Sequence, residues 1–96
     1  MHTVDVLEEA VRAAQMLGYR IRQEWLDGSG GLCEYGGQRW IFIDLSQTTA
    51  EQLEQVLVVL RSDSRSETLP MSGVLRRLIT RRPLAATPGV PENRSA

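Results

Sequence analysis

Apolar residues recur at three- and four-residue spacing from Thr3 to Leu17, so Val4, Leu7, Val11, Ala14 and Leu17 share one face of a helix. Ala10 widens that stripe, while Glu8, Glu9, Arg12 and Gln15 fall mostly on the opposite side. Thr3 is placed to cap the first turn, and Asp5 and Glu8 suit the positive end of the helix dipole. Gly18 is placed to end the helix in a left-handed conformation at low steric cost.

At Tyr19 the period changes to two. Tyr19, Ile21, Gln23 and Trp25 take one face of a strand running to Leu26, and Arg20, Arg22, Glu24 and Leu26 the other. Asp27-Gly28-Ser29-Gly30-Gly31 reads as a hairpin loop, and Leu32–Tyr35 as a short second strand. Gly36-Gly37 suits a type I′ turn, whose two central positions both need positive φ. That turn sets Tyr35 opposite Gln38, Glu34 opposite Arg39 and Cys33 opposite Trp40. The Glu34–Arg39 pair is worth roughly 0.2–1 kcal/mol. The third strand, Arg39–Leu45, is the most apolar. It carries Trp40, Phe42 and Asp44 on one face and Arg39, Ile41, Ile43 and Leu45 on the other, which calls for cover on one side and partial cover, or a partner, on the second.

A second helix spans Ser46–Leu60. Thr48-Thr49-Ala50-Glu51 matches a capping box, and Leu53, Val56, Leu57 and Leu60 form a buried stripe broadened by Val58 and Val59. Ser62–Thr68 is a polar connector. A weaker third helix runs from Met71 or Ser72 to Arg82, with Val74, Leu75, Leu78 and Ile79 as an apolar seam and Pro83 as its stop. The expected fold class is α+β: a three-stranded antiparallel sheet packed by two helices (α-β-β-β-α), with a short third helix. Residues 1–82 form the single domain, and 83–96 a flexible C-terminal tail.

Composition narrows the chemistry. All eleven basic residues are arginine and none is lysine, which excludes Schiff-base catalysis and the Walker-type phosphate lysine. The longest apolar run, Val56–Leu60, is far too short to cross a bilayer, and the N-terminus carries no secretory pattern. One cysteine, Cys33, rules out an internal disulfide and fits a reducing compartment, so the expected location is cytoplasmic. Cys33 and the one histidine, His2, belong to no cluster with ligand spacing, and neither a metal nor any other cofactor is expected. Cys33 reads as a small buried hydrophobe on a strand rather than a nucleophile, since no base lies near it in sequence. The loop Gly28-Ser29-Gly30-Gly31 joins two strands rather than opening a helix, so it lacks the N–H array of a phosphate site.

Two features point to a partner. Trp25, Trp40 and Tyr19 form a stacking platform if they share an exposed sheet face; the core reading outweighs this, because the sheet of so small a domain has no other large residues. Arg76, Arg77, Arg81 and Arg82 stand in a stretch without acids, which suits phosphates or an acidic protein surface. Against nucleic acid as the main partner stands a net charge of −1.

Two resemblances accompany these readings. Leu17-Gly18-Tyr19-Arg20-Ile21-Arg22, Trp25-Leu26, the glycine loop, Cys33-Glu34 and Trp40-Ile41-Phe42-Ile43-Asp44-Leu45 together resemble a family of small bacterial proteins to which the resemblance attaches no activity. Residues 39–62 are similar to the strand–helix entry of the ImmA/IrrE-type zinc peptidases. That family's helix carries H-E-x-x-H; the corresponding positions here are Val58-Val59-Leu60-Arg61-Ser62, without either ligand or the glutamate. The expected function is a non-enzymatic interaction module, either an accessory subunit or a homodimer, with Trp25, Trp40, Phe42, Arg76, Arg77, Arg81 and Arg82 as candidate partner contacts. The alternative is nucleic-acid binding through the arginine-rich third helix. No membrane contact is expected.

Overall fold

Gly36 and Gly37 take φ values of 62° and 77°, which closes the expected hairpin between β2 (Gly31–Tyr35) and β3 (Gln38–Asp44). Its register is the one the turn dictates: Tyr35 faces Gln38, Glu34 faces Arg39 and Cys33 faces Trp40. The structure is a computed structural model and describes residues 2–80. The remaining elements are α1 (Thr3–Met16), β1 (Arg20–Glu24), α2 (Thr49–Ser62), a 3-10 helix (Ser64–Thr68) and α3 (Gly73–Thr80). Both the domain boundary at residue 82 and the expected tail lie outside the described residues.

The sheet corrects the all-antiparallel expectation. Its order is β1-β3-β2, and β1 runs parallel to β3. The tight turn obliges β2 and β3 to be neighbours, so β1 must take an outer edge. On the free edge of β3 it sets Ile21 beside Ile41, under the helices, and leaves β3 central, where its apolar residues are best covered. Asp27–Gly31 is therefore not a hairpin loop. It carries the chain across the end of β3, so closely that a Cβ on Gly30 would lie 2.6 Å from the Phe42 carbonyl oxygen.

Helix α1 ends as Gly18 requires. With Gly18 at φ 96°, the Tyr19 N–H donates to the Ala14 carbonyl and the Gly18 N–H to that of Gln15, the paired bonds of a Schellman motif. At the other end, His2 occupies the cap position without a side-chain bond, and Thr3 is already helical, so the expected Thr3 cap does not form. The buried stripe is Val6, Leu7, Ala10, Ala13 and Ala14, and Val4 is exposed. Three alanines on this face let α1 approach α2 closely. Helix α2 opens on the expected capping box: the Glu51 N–H donates to Thr48 Oγ1 at 3.1 Å, and the Thr48 N–H to Glu51 Oε1 at 2.9 Å. Leu53, Val56, Leu57, Val59 and Leu60 are buried, each such side chain worth about 1.5–3 kcal/mol, while Val58 faces solvent.

The connector is more structured than its polarity suggests. Ser66 is buried in the 3-10 helix and its hydroxyl donates to the Leu60 carbonyl at 2.9 Å. Helix α3 belongs to the same body. Leu75 and Ile79 join the core, Glu9 of α1 accepts from the Ser72 N–H and hydroxyl at 2.6 and 2.7 Å, and the Arg61 guanidinium of α2 donates to the Leu78 carbonyl. All three helices thus share one core, and α1 and α2 cover one face of the sheet.

Candidate functional site

Alternation along three aligned strands decides what the second face holds. Ile21, Ile41 and Ile43 point to the helices. Arg20 and Arg22 of β1, Trp40 and Phe42 of β3, and Cys33 and Tyr35 of β2 point the other way. On this open face the Trp40 and Phe42 rings meet edge to face, with centroids 6.2 Å apart and planes at 86°. The Arg20 guanidinium lies 5.6 Å from the Trp40 ring centroid and donates through Nε to Gln38 Oε1. Arg22 pairs with Glu24. Arg22, Cys33, Tyr35, Trp40 and Phe42 line a shallow, mostly apolar depression of about 320 Å³. Trp40 Nε1 is buried there and has no hydrogen-bond partner among the described residues.

One end of this face is locked by Asp44, which is wholly buried. Its Oδ1 accepts from the Leu26 N–H at 3.0 Å, the Ser46 N–H at 2.9 Å and the Ser46 hydroxyl at 2.7 Å; its Oδ2 accepts from the Gly28 N–H. Burial by itself would raise this carboxyl, but the donors from Ser46, Leu26 and Gly28 outweigh burial and hold it down at about 2. The Gln55 side-chain oxygen accepts from the Asp44 N–H at 3.3 Å. The carboxylate therefore works as a staple between the ends of β1 and β3 and the glycine loop, with its acceptors occupied by the chain itself.

The opposite end of the sheet borders a polar cleft of about 570 Å³ where α2 meets the 3-10 helix. There the Tyr19 hydroxyl donates to Asp63 Oδ2 at 2.8 Å, and Arg65 grips the same carboxylate through Nε at 3.0 Å and Nη2 at 2.7 Å. Arg39 lies over the Tyr19 ring, 4.9 Å from its centroid. The Arg65 bonds hold Asp63 well below the usual carboxylate range; burial, followed by the bond to Asp63, raises Tyr19. Asp63 has its donors, so the cluster is a clamp between the residue that enters β1 and the end of α2. Among the described residues no group of three or more His, Cys, Asp and Glu side chains is arranged for a metal, and no helix is long and apolar enough to cross a membrane.

The candidate contacts separate. Trp40 and Phe42 come together on the open face. Trp25 lies one residue beyond β1 and is 75% exposed, which corrects its assignment to the core; Tyr19 alone of the three aromatics is fully buried. Cys33 is also exposed, not buried, because β2 is an edge strand with no helix over its outer side. On α3, Arg76 is tied to its own chain: Nη1 donates to the Ser66 carbonyl at 3.0 Å and Nη2 to that of Leu69. Arg77 is exposed, and Arg81 and Arg82 lie outside the described residues. Arg20, Arg22, Cys33 and Tyr35 complete the open face and are not among the partner contacts expected from sequence. The signal for the β2 pair was present, since the glycine turn already set Cys33 opposite Trp40. The β1 arginines needed the parallel pairing. No protein-family model, curated protein or solved structure matches this chain.

Proposed function

We propose that this protein is a non-enzymatic interaction module, an accessory subunit whose partner protein seats on the open sheet face. One observation carries the reading: three helices pack into one core over a single face of the sheet, while Trp40 and Phe42 stand on the other with an indole N–H left unpaired. Aromatic and arginine side chains around a shallow apolar depression match the anchors that dominate protein interfaces. The carboxylates that are held ionised, Asp44 and Asp63, are occupied by internal donors, which supports binding over catalysis. A reducing, cytoplasmic location belongs to the same proposal and rests on the single cysteine.

The test is comparative capture. Immobilised wild-type chain should retain a protein that Phe42→Ser/Tyr35→Ser loses and Arg77→Ala keeps. Equal retention by all three forms overturns the assignment of the surface.

Single-stranded nucleic acid is the second reading, favoured by Arg20 against Trp40 and Arg22 beside the same depression. It moves from α3 to the sheet, because Arg76 is engaged in backbone bonds. It requires salt-dependent retention on single-stranded RNA or DNA that Arg20→Ala/Arg22→Ala abolishes. The similarity of residues 39–62 to the ImmA/IrrE-type entry stays a proposal of ancestry. Val59 and Leu60 are core residues of α2, so the proposed function does not use zinc.

A further inference from the structure

The two edges of the sheet are unlike. β1 presents Arg20, Arg22, Gln23 and Glu24, a run of charged and polar side chains of the kind that protects an edge from strand addition. β2 presents Gly31-Leu32-Cys33-Glu34-Tyr35 with one charge, Leu32 at 44% and Tyr35 at 76% exposure. Its inner edge pairs with β3, and its outer edge pairs with no other strand among the described residues. We propose that the outer edge of β2 pairs antiparallel with β2 of a second copy, with Cys33 opposite Cys33 of the partner subunit, giving a continuous six-stranded sheet.

The register follows from the hairpin. In a two-residue turn the flanking residues, Tyr35 and Gln38, form a hydrogen-bonded pair. Alternation then turns the N–H and C=O groups of Leu32 and Glu34 toward the free edge. A two-fold axis through the sheet can centre on residue 32, 33 or 34. Centring on Glu34 sets two like charges directly opposite each other. Centring on Leu32 uses only residues 31–33 of the strand. Centring on Cys33 pairs all five residues. It matches each outward Leu32 with the partner's Glu34, for about four backbone hydrogen bonds, and sets Tyr35 against the partner's Gly31, whose missing side chain leaves room for the ring. The pairing also joins two open faces into one. A single face, three strands wide and five to seven residues long, offers only about 300 Å², against roughly 800 Å² per partner in an ordinary interface. The edge contact itself rests on a five-residue strand and about four backbone hydrogen bonds, so the dimer is expected to be reversible.

Cys33, the one thiol in the chain, reports the register. At the centre it occupies a non-hydrogen-bonded pair with Cα atoms about 4.5 Å apart, inside the range a disulfide accepts. The full chain under reducing conditions should show a concentration-dependent monomer–dimer equilibrium by sedimentation velocity. Brief diamide treatment should then trap a covalent dimer. Glu34→Pro removes an outward N–H while leaving the β3 ladder intact; it should lose both signals with unchanged far-ultraviolet circular dichroism. Cys33→Ser should keep the reversible dimer. Adding Tyr35→Cys to Cys33→Ser moves the thiol opposite the partner's Gly31 and should lower the trapping rate at least tenfold. A monomer at every concentration overturns the proposal, including one whose edge is covered by residues 81–96. So does a dimer that Glu34→Pro leaves unchanged, or one that traps equally well from position 35. Phe42→Ser, on β3 and outside the β2 edge, must lose the partner of the open face but still trap through Cys33, so failure of either proposal is recognised separately.

Discussion

The two faces of β3 are built from adjacent residues and behave as different materials. Ile41 and Ile43 are completely buried beneath α1 and α2. Trp40 and Phe42, one residue away in each direction, are larger but only half-buried, and they lean on each other and on Arg20. The difference is topological, since both faces are apolar and only one receives helices. Hydrophobic content alone does not locate the core of a domain this small. The core is where two amphipathic helices and the sheet can close on each other, and what they leave over becomes surface.

The sharpest way to break this comparison is to delete the same amount of structure from each face. Ile41→Ala should cost about 2–5 kcal/mol by urea denaturation, because a filled site under two helices cannot collapse. Phe42→Ala, on the open side, should cost only about 1–2 kcal/mol despite the larger side chain, since part of its surface is already in water and no helix covers it. Equal losses would mean that the open face is core.

Asp44 tests the staple that closes one end of the open face. Its carboxyl lies at about 2 in the folded chain against 3.8 ordinarily, so the unfolded chain takes up its proton at higher pH. The stability it contributes is complete above about pH 4 and is lost as pH falls through about 2. Asp63, held low by Arg65, adds a loss of the same sign. Asp44→Asn should lower the urea midpoint at pH 7 and flatten its decline in acid. An unchanged acid limb would show that the carboxylate is not the staple described.

Smaller effects refine the picture. Tyr19→Phe removes the bond to Asp63 and should cost about 1 kcal/mol by thermal unfolding. Trp25→Phe leaves half-buried Trp40 as the sole indole, so emission should move to shorter wavelength and acrylamide quenching should fall. Smallest of all is Glu34→Ala. The Glu34–Arg39 contact is 3.8 Å and solvent-exposed on both sides, and its loss should change stability by no more than about 0.5 kcal/mol.

Local chemistry was legible wherever a few neighbouring residues decide the outcome. Gly36-Gly37 dictated a turn and with it the β2–β3 register. Thr48 and Glu51 announced the cap of α2, and Gly18 the end of α1, because caps and tight turns are satisfied within about six residues. The buried stripe of α2 was readable for the same reason. The stripe of α1 was read one position off, with Val4 in and Val6 and Ala13 out. Small alanines allow several stripes, and only the approach of α2 selects one.

Tertiary structure decided the rest. Nothing in Asp27–Gly31 distinguishes a loop that turns back from one that crosses the end of a strand; both need glycine. The crossing places β1 parallel to β3, and only that pairing brings Arg20 and Arg22 beside Trp40 and Phe42. Exposure of Cys33 and Trp25 likewise follows from where strands end and which edge stays open. By itself the sequence determined the elements and one hairpin, since those depend on short-range bonding and periodicity. The sheet order, the choice of core face and the open surface depended on contacts between distant segments, whose competition is settled only when the whole chain packs.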